Sequence, residues 1–217
     1  RRRGVKIIAD YSSLINHYPD FSFLRNVPGR TEETEQRFAS ILEKATLFDC
    51  DRALIILQRN AENALSEPDA RRNLLQTLQN LQAIAFRHNV TLYAQNGRSL
   101  KSTTTANPSD FTAEVLREAD CKIRFAFNLC HSIASHEETN EALNRFAPAA
   151  LLLSAPTIDA FGQTFDEHRP VSTSDFGDLA RHCLNARPDW DFICLDGDYE
   201  SFDRVVADLA VLNGSDL

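Results

Sequence analysis

Ile123-Arg-Phe-Ala-Phe-Asn-Leu-Cys-His131 decides how this chain is read. Ile123 to Phe127 is an apolar run of strand length, and it leads directly into Asn128 and His131. The pattern predicts a short buried strand, then a polar loop carrying Asn128 and His131, then a helix over Glu137 to Phe146 with acidic residues in its first turn.

Five other stretches repeat that plan. Their apolar runs are Gly4 to Asp10, Ala53 to Leu57, Val90 to Ala94, Ala149 to Leu153 and Phe192 to Leu195. Apolar residues at helical spacing lie between them. Phe38, Ile41, Leu42, Ala45 and Phe48 share one face of a helix that Thr31 is placed to cap, and Leu74, Leu78, Leu81 and Ala85 share another. Phe111, Val115, Leu116 and Ala119 mark a third helix, Phe176, Leu179, Ala180 and Cys183 a later one, and Phe202, Val205, Val206, Leu209 and Ala210 the last. Residues 11–30 and 154–170 read as long loops, the first carrying Tyr11, His17, Tyr18 and Phe21.

The strands are continuous apolar runs rather than alternating ones, which suits parallel strands covered on both faces. Strand and helix alternate throughout, so the expected class is α/β. No glycine-rich phosphate loop follows the first strand, so nothing favours a nucleotide-binding open sheet. Polar residues collected at successive C-terminal strand ends suit a (β/α) TIM-type barrel, whose site is built there. The expectation is a single barrel domain over residues 1–217 with six visible βα units. The remaining units are either upstream of Arg1 or lacking. The sequence has no Met, and we read it as part of a longer chain whose upstream segment is a partner of this one.

Composition narrows the function. With 217 residues, 43% hydrophobic and 25% charged, the chain is of ordinary globular type. No apolar run reaches the roughly 18 residues of a membrane span. Arg1-Arg2-Arg3 precedes too short an apolar run for a signal peptide. The expectation is a soluble protein without a membrane partner. A net charge of −8 disfavours a broad phosphate-binding surface, so nucleic acid is not expected. Cys50, Cys121, Cys130, Cys183 and Cys194 contain no C-x-x-C pair and read as reduced, structural thiols.

The strand ends resemble the xylose isomerase-like TIM barrels, the superfamily of sugar isomerases, sugar-phosphate epimerases and apurinic endonucleases. The resemblance covers nearly the whole chain and implies the last six of eight βα units. It also implies a site for divalent metal, built from a Glu, an Asp-x-x-His, a His, a D-x-H and a final Glu on successive strand ends. By that resemblance Gln95 stands at the first Glu, Asn128 at the Asp of Asp-x-x-His, and His131 at its His. Ser154 stands near the next His, Asp166 and His168 match the D-x-H, and Asp196 replaces the last Glu. An upstream family His falls around Gln58.

Gln95 and Asn128 keep the shape of acids without the charge, and Gln95 cannot serve as a general base. The expected ligand-binding residues are therefore Gln95, Asn128, His131 and Arg169. Asp166, His168 and Asp196 are the metal ligands if a site survives. No residue is assigned as catalytic. The expectation is a degenerate barrel without a resident cofactor, acting as a structural or carbohydrate-binding module of a larger protein. The alternative is an active sugar or sugar-phosphate isomerase/epimerase that uses Mn, Mg or Zn through a rearranged ligand set. The endonuclease reading lacks both the acids and the positive charge it needs. For His131 a plain hydrogen-bonded histidine is the competing reading. For Asp166 and His168 it is a solvated loop pair, and for Asp196 and Asp198 a turn or cap before the last helix.

Overall fold

The computed structural model describes residues 8–10, 30–57, 68–97 and 108–214. The first long loop, Gln58 and Arg98 lie outside them. The described chain falls into two units. One comprises residues up to Gln95 with Thr112–Arg124. The other comprises Asn96, the residues before Thr112, and Phe125 onward.

In the first unit β1 (Ala9–Asp10), β2 (Arg52–Leu57) and β3 (Thr91–Asn96, of which residues to Gln95 belong here) lie side by side in that order. β1 and β2 run parallel, with Ala9 opposite Ala53. α1 (Arg30–Thr46) and α2 (Pro68–Arg87) follow their strands. Their inward stripes are those expected from the sequence: Phe38, Leu42, Leu74, Leu78, Leu81 and Ala85 are all buried. Two details differ. α1 begins at Arg30, one residue ahead of the predicted cap. Phe48 lies beyond the helix end and is 65% exposed rather than on its buried face. α3 (Pro108–Glu118) is shared between the units, its first turn belonging to the second.

The second unit holds β4 (Arg124–Asn128), β5 (Ala150–Leu153) and β8 (Phe192–Leu195), parallel and in that order. β4 leads without a loop into α4 (Leu129–Ala134), and α5 (Thr139–Phe146) follows. The helix expected over residues 137–146 is α5, and α4 is a further short helix where a loop was expected, so His131 sits in a helix. The cause is local: Asn128 is extended, and its side-chain oxygen accepts the His131 backbone N–H, so it caps a helix at once.

The stretch expected as one long loop contains an antiparallel hairpin, β6 (Ala155–Ile158) and β7 (Thr164–Arg169). Its turn is set by Asp159, whose carboxylate accepts the Phe161 and Gln163 N–H groups, and by Gly162 at φ +76. A 3-10 turn (Val171–Thr173), α6 (Gly177–Asn185) and α7 (Phe202–Leu212) complete the unit. All five cysteines are thiols. Among the described residues no helix is long and apolar enough to cross a membrane.

Candidate functional site

Parallel strands bring their C-terminal ends to one edge, and the second unit gathers its polar residues there. Asn128 and Ser154 lie at or just past the ends of β4 and β5, and Asp196 follows β8. Asn96, Asn128, His131 and Ser154 are at most 3% exposed. Polar groups buried to that degree need partners, and the partners they find are one another.

Asn96 and Asn128 interlock. The Asn128 N–H donates to the Asn96 side-chain oxygen at 2.6 Å, and the Asn96 amide donates to the Asn128 carbonyl at 3.1 Å. His131 Nδ1 lies 2.7 Å from the Asn96 carbonyl oxygen. A carbonyl can only accept, so Nδ1 carries a proton and donates this bond.

Asp196 is the hub of the other half. Its Oδ2 accepts from the Asn128 side-chain amide at 3.0 Å and from His168 Nδ1 at 2.9 Å. Asp196 therefore does not serve the turn or cap role that is its competing sequence reading. The helix after it, α7, has Ser201 at its N-cap and makes no side-chain cap bond. His168 Nδ1 also lies 3.1 Å from Ser154 Oγ. Serine and aspartate meet the same ring nitrogen, so this is not a Ser–His–Asp relay, which needs one partner on each nitrogen.

The rings of His131 and His168 meet edge to face, 5.1 Å between centroids. His168 holds this position at φ +46, a left-handed backbone conformation that few residues adopt and that histidine enters more readily than most. Its carbonyl accepts the Asp198 N–H at 2.7 Å, tying the loop after β8 to β7.

The structure thus brings together Asn128, His131, Ser154, His168 and Asp196 from the sequence reading. Asn96 joins them, from the polar run Gln95 to Arg98 that the sequence reads as a satisfied strand end or a carbohydrate contact. Gln95 itself is 3% exposed within the first unit. Arg169 ends β7 next to His168. The side chain of Asp166 lies outside the described set. Among the described residues, no group of three or more His, Cys, Asp or Glu is placed to hold a metal ion.

No family model matches the sequence, and no curated protein matches it. Solved structures do. A protein of Thermus thermophilus, from crystals soaked with zinc chloride, is 18% identical at a TM-score of 0.67, covering 100% of this chain and 82% of that one. A D-tagatose 3-epimerase-like protein is 14% identical at a TM-score of 0.71, covering 98% and 80%. A xylose isomerase domain-containing protein of Salmonella typhimurium is 12% identical at a TM-score of 0.67, covering 97% and 76%. At such identities the likeness is one of fold, and the α/β chain described here has the xylose isomerase-like TIM-barrel fold.

Proposed function

We propose that this chain is a sugar isomerase/epimerase-like barrel that no longer uses a divalent metal and serves as a carbohydrate-binding or structural module of a larger protein. The observation that carries the reading is the internal bonding of Asp196. A hard divalent cation needs several carboxylate oxygens or neutral imidazoles directed at one point. Here the amide of Asn128 and the imidazole of His168 are directed at the carboxylate instead. The Asn128 oxygen is committed to the His131 N–H, and Ser154 offers only a hydroxyl. This donor set does not fit the metal site that the resemblance implies, and no reaction step is routed through a metal. His168 and Asp196, whose side chains are part-exposed, are the groups of this cluster that a sugar hydroxyl would meet.

The test is elemental analysis of the dialysed protein with thermal-shift measurements in Mn²⁺, Mg²⁺, Zn²⁺ and Co²⁺. The expected result is no bound metal and no shift. A near-stoichiometric ion, or a melting point raised by several degrees with one of them, overturns the proposal.

A second reading is an active metal-dependent isomerase or epimerase using His131, Asp166, His168 and Asp196. One observation favours it. Both imidazoles are held through Nδ1, which makes Nε2 the ligand-competent nitrogen in each, and the rings are adjacent. Ketose turnover that a chelator abolishes and Mn²⁺ restores would establish this reading.

A further inference from the structure

On the second unit, beside the histidine cluster, a cleft of about 460 Å³ is lined by Glu167, Arg169, Pro170, Thr173, Asp198, Glu200 and Arg204. Its size is that of a small-molecule site. Three elements build it: the end of β7 with the 3-10 turn after it, the loop after β8, and the first turn of α7. The bond from the Asp198 N–H to the His168 carbonyl holds the first two together.

Five of the seven lining residues are charged, three with carboxylates and two with guanidinium groups. Neither Arg169 nor Arg204 makes an ion pair or side-chain hydrogen bond with any described residue. Glu167 is held by the Thr157 hydroxyl and not by an arginine. Elsewhere in the molecule arginines do find acids: Arg71 bridges Glu114 and Glu118, and Arg145 meets Asp110. All five charged side chains are exposed at the cleft, where a ligand can reach them.

We infer that this cleft binds a small zwitterion. A carboxylate or phosphate group would be held by Arg169 and Arg204, and an ammonium group by Glu167, Asp198 and Glu200. The charge count sets the class. Three acids against two bases leave the cleft slightly negative, so a purely anionic ligand is disfavoured and a purely cationic one leaves both guanidinium groups unmatched. Guanidinium forks suit the paired oxygens of carboxylate or phosphate, and carboxylates take N–H donors. The inference rests on the carbohydrate reading only for the carbon skeleton, and the charges are argued independently of it.

The test uses the intact protein and calorimetric titration with five probes. These are glucose, glucosamine, glucose 6-phosphate, glucosamine 6-phosphate and, as a zwitterion without a sugar, phosphoethanolamine. The expected result is that glucosamine 6-phosphate binds at least about tenfold more tightly than either sugar with one charged group, a difference of ~1.4 kcal/mol. Arg204→Gln and Arg169→Gln should each remove the advantage of the phosphate, and Glu200→Gln that of the amine. Melting curves of the variants confirm folding.

Equal affinity for all four sugars overturns the inference and leaves the carbohydrate reading standing. Binding of phosphoethanolamine without any of the sugars does the reverse. No binding of either zwitterion overturns the inference. So does unchanged affinity in a folded Arg204→Gln protein.

Discussion

β5 and β8 are neighbours with almost the same kind of sequence, Ala-Leu-Leu-Leu and Phe-Ile-Cys-Leu, yet they are buried very differently. All four residues of β5 are at most 1% exposed. Every residue of β8 is at least partly exposed, and Ile193 is 43% exposed although it pairs with the fully buried Leu151. β5 has β4 on one side and β8 on the other, whereas β8 stands last in the order of strands among the described residues. The helix after β8 continues the difference. Phe202, Val206 and Leu209 of α7 are exposed at helical spacing, while its buried contacts centre on Leu212 and on a charged residue, Asp208. Apolar sequence makes burial favourable, but neighbours on both faces and both edges decide whether it happens.

Mutating the paired positions tests this contrast most severely. Leu151→Ala should cost about 2–5 kcal/mol by leaving a cavity in a close-packed site, and Ile193→Ala well under half of that. Urea denaturation of the two variants measures it, and equal losses would show β8 to be as deeply packed as β5.

Asp208 comes next. It is fully buried and accepts the Val171 and Ser172 backbone N–H groups and the Tyr199 hydroxyl, at 3.1, 2.8 and 2.6 Å. Burial and then the nearby Asp208 carboxylate push the Tyr199 hydroxyl pKa up, so it stays a donor. Asp208→Ala orphans three donors and should cost about 3 kcal/mol, more than any substitution on the exposed stripe of α7. Leu209→Ser in that stripe is the control, expected within about 0.5 kcal/mol of the parent.

Asn128→Ala should fall between these, at about 1–2 kcal/mol, because it removes a helix cap and frees one bond at Asp196. Its sharper readout is the imidazole proton resonances of His131 and His168, which should shift together.

The smallest effect is a dependence on pH. Glu137 is 7% exposed, accepts the N–H and hydroxyl of Ser109, and has its carboxyl pKa raised by burial. A carboxyl that holds its proton more tightly when folded adds stability at pH below the usual carboxylate value, and that stability is lost as pH rises through the raised folded value. Denaturation between about pH 4 and about pH 8 should therefore show a decline that Glu137→Gln flattens. An unchanged slope in the variant would remove Glu137 as the cause.

Much of this was legible beforehand. The inner strands and the stripes of α1 and α2 are where periodicity puts them, because each residue's choice of face depends only on spacing along one element. The hairpin at 155–169 also left a signal, an Asp and a Gly in the turn at 159–162, but the many polar residues around it masked the strands. The early start of α4 was harder to see, since an asparagine ending a strand and an asparagine capping a helix look alike in sequence.

Read residue by residue, the chain already carries the alternation of strand and helix and the parallel class. It also shows which strand ends bear amides and hydroxyls where the resemblance implies acids and imidazole. Those are properties of single residues and of local spacing. Folding in three dimensions was needed to show that Asp196 serves Asn128 and His168 rather than a turn, that Asn96 belongs to the cluster, and that Arg169 and Arg204 share a cleft without pairing. Each of these depends on which side chains from distant parts of the chain come within bonding distance, and no one-dimensional pattern encodes that distance.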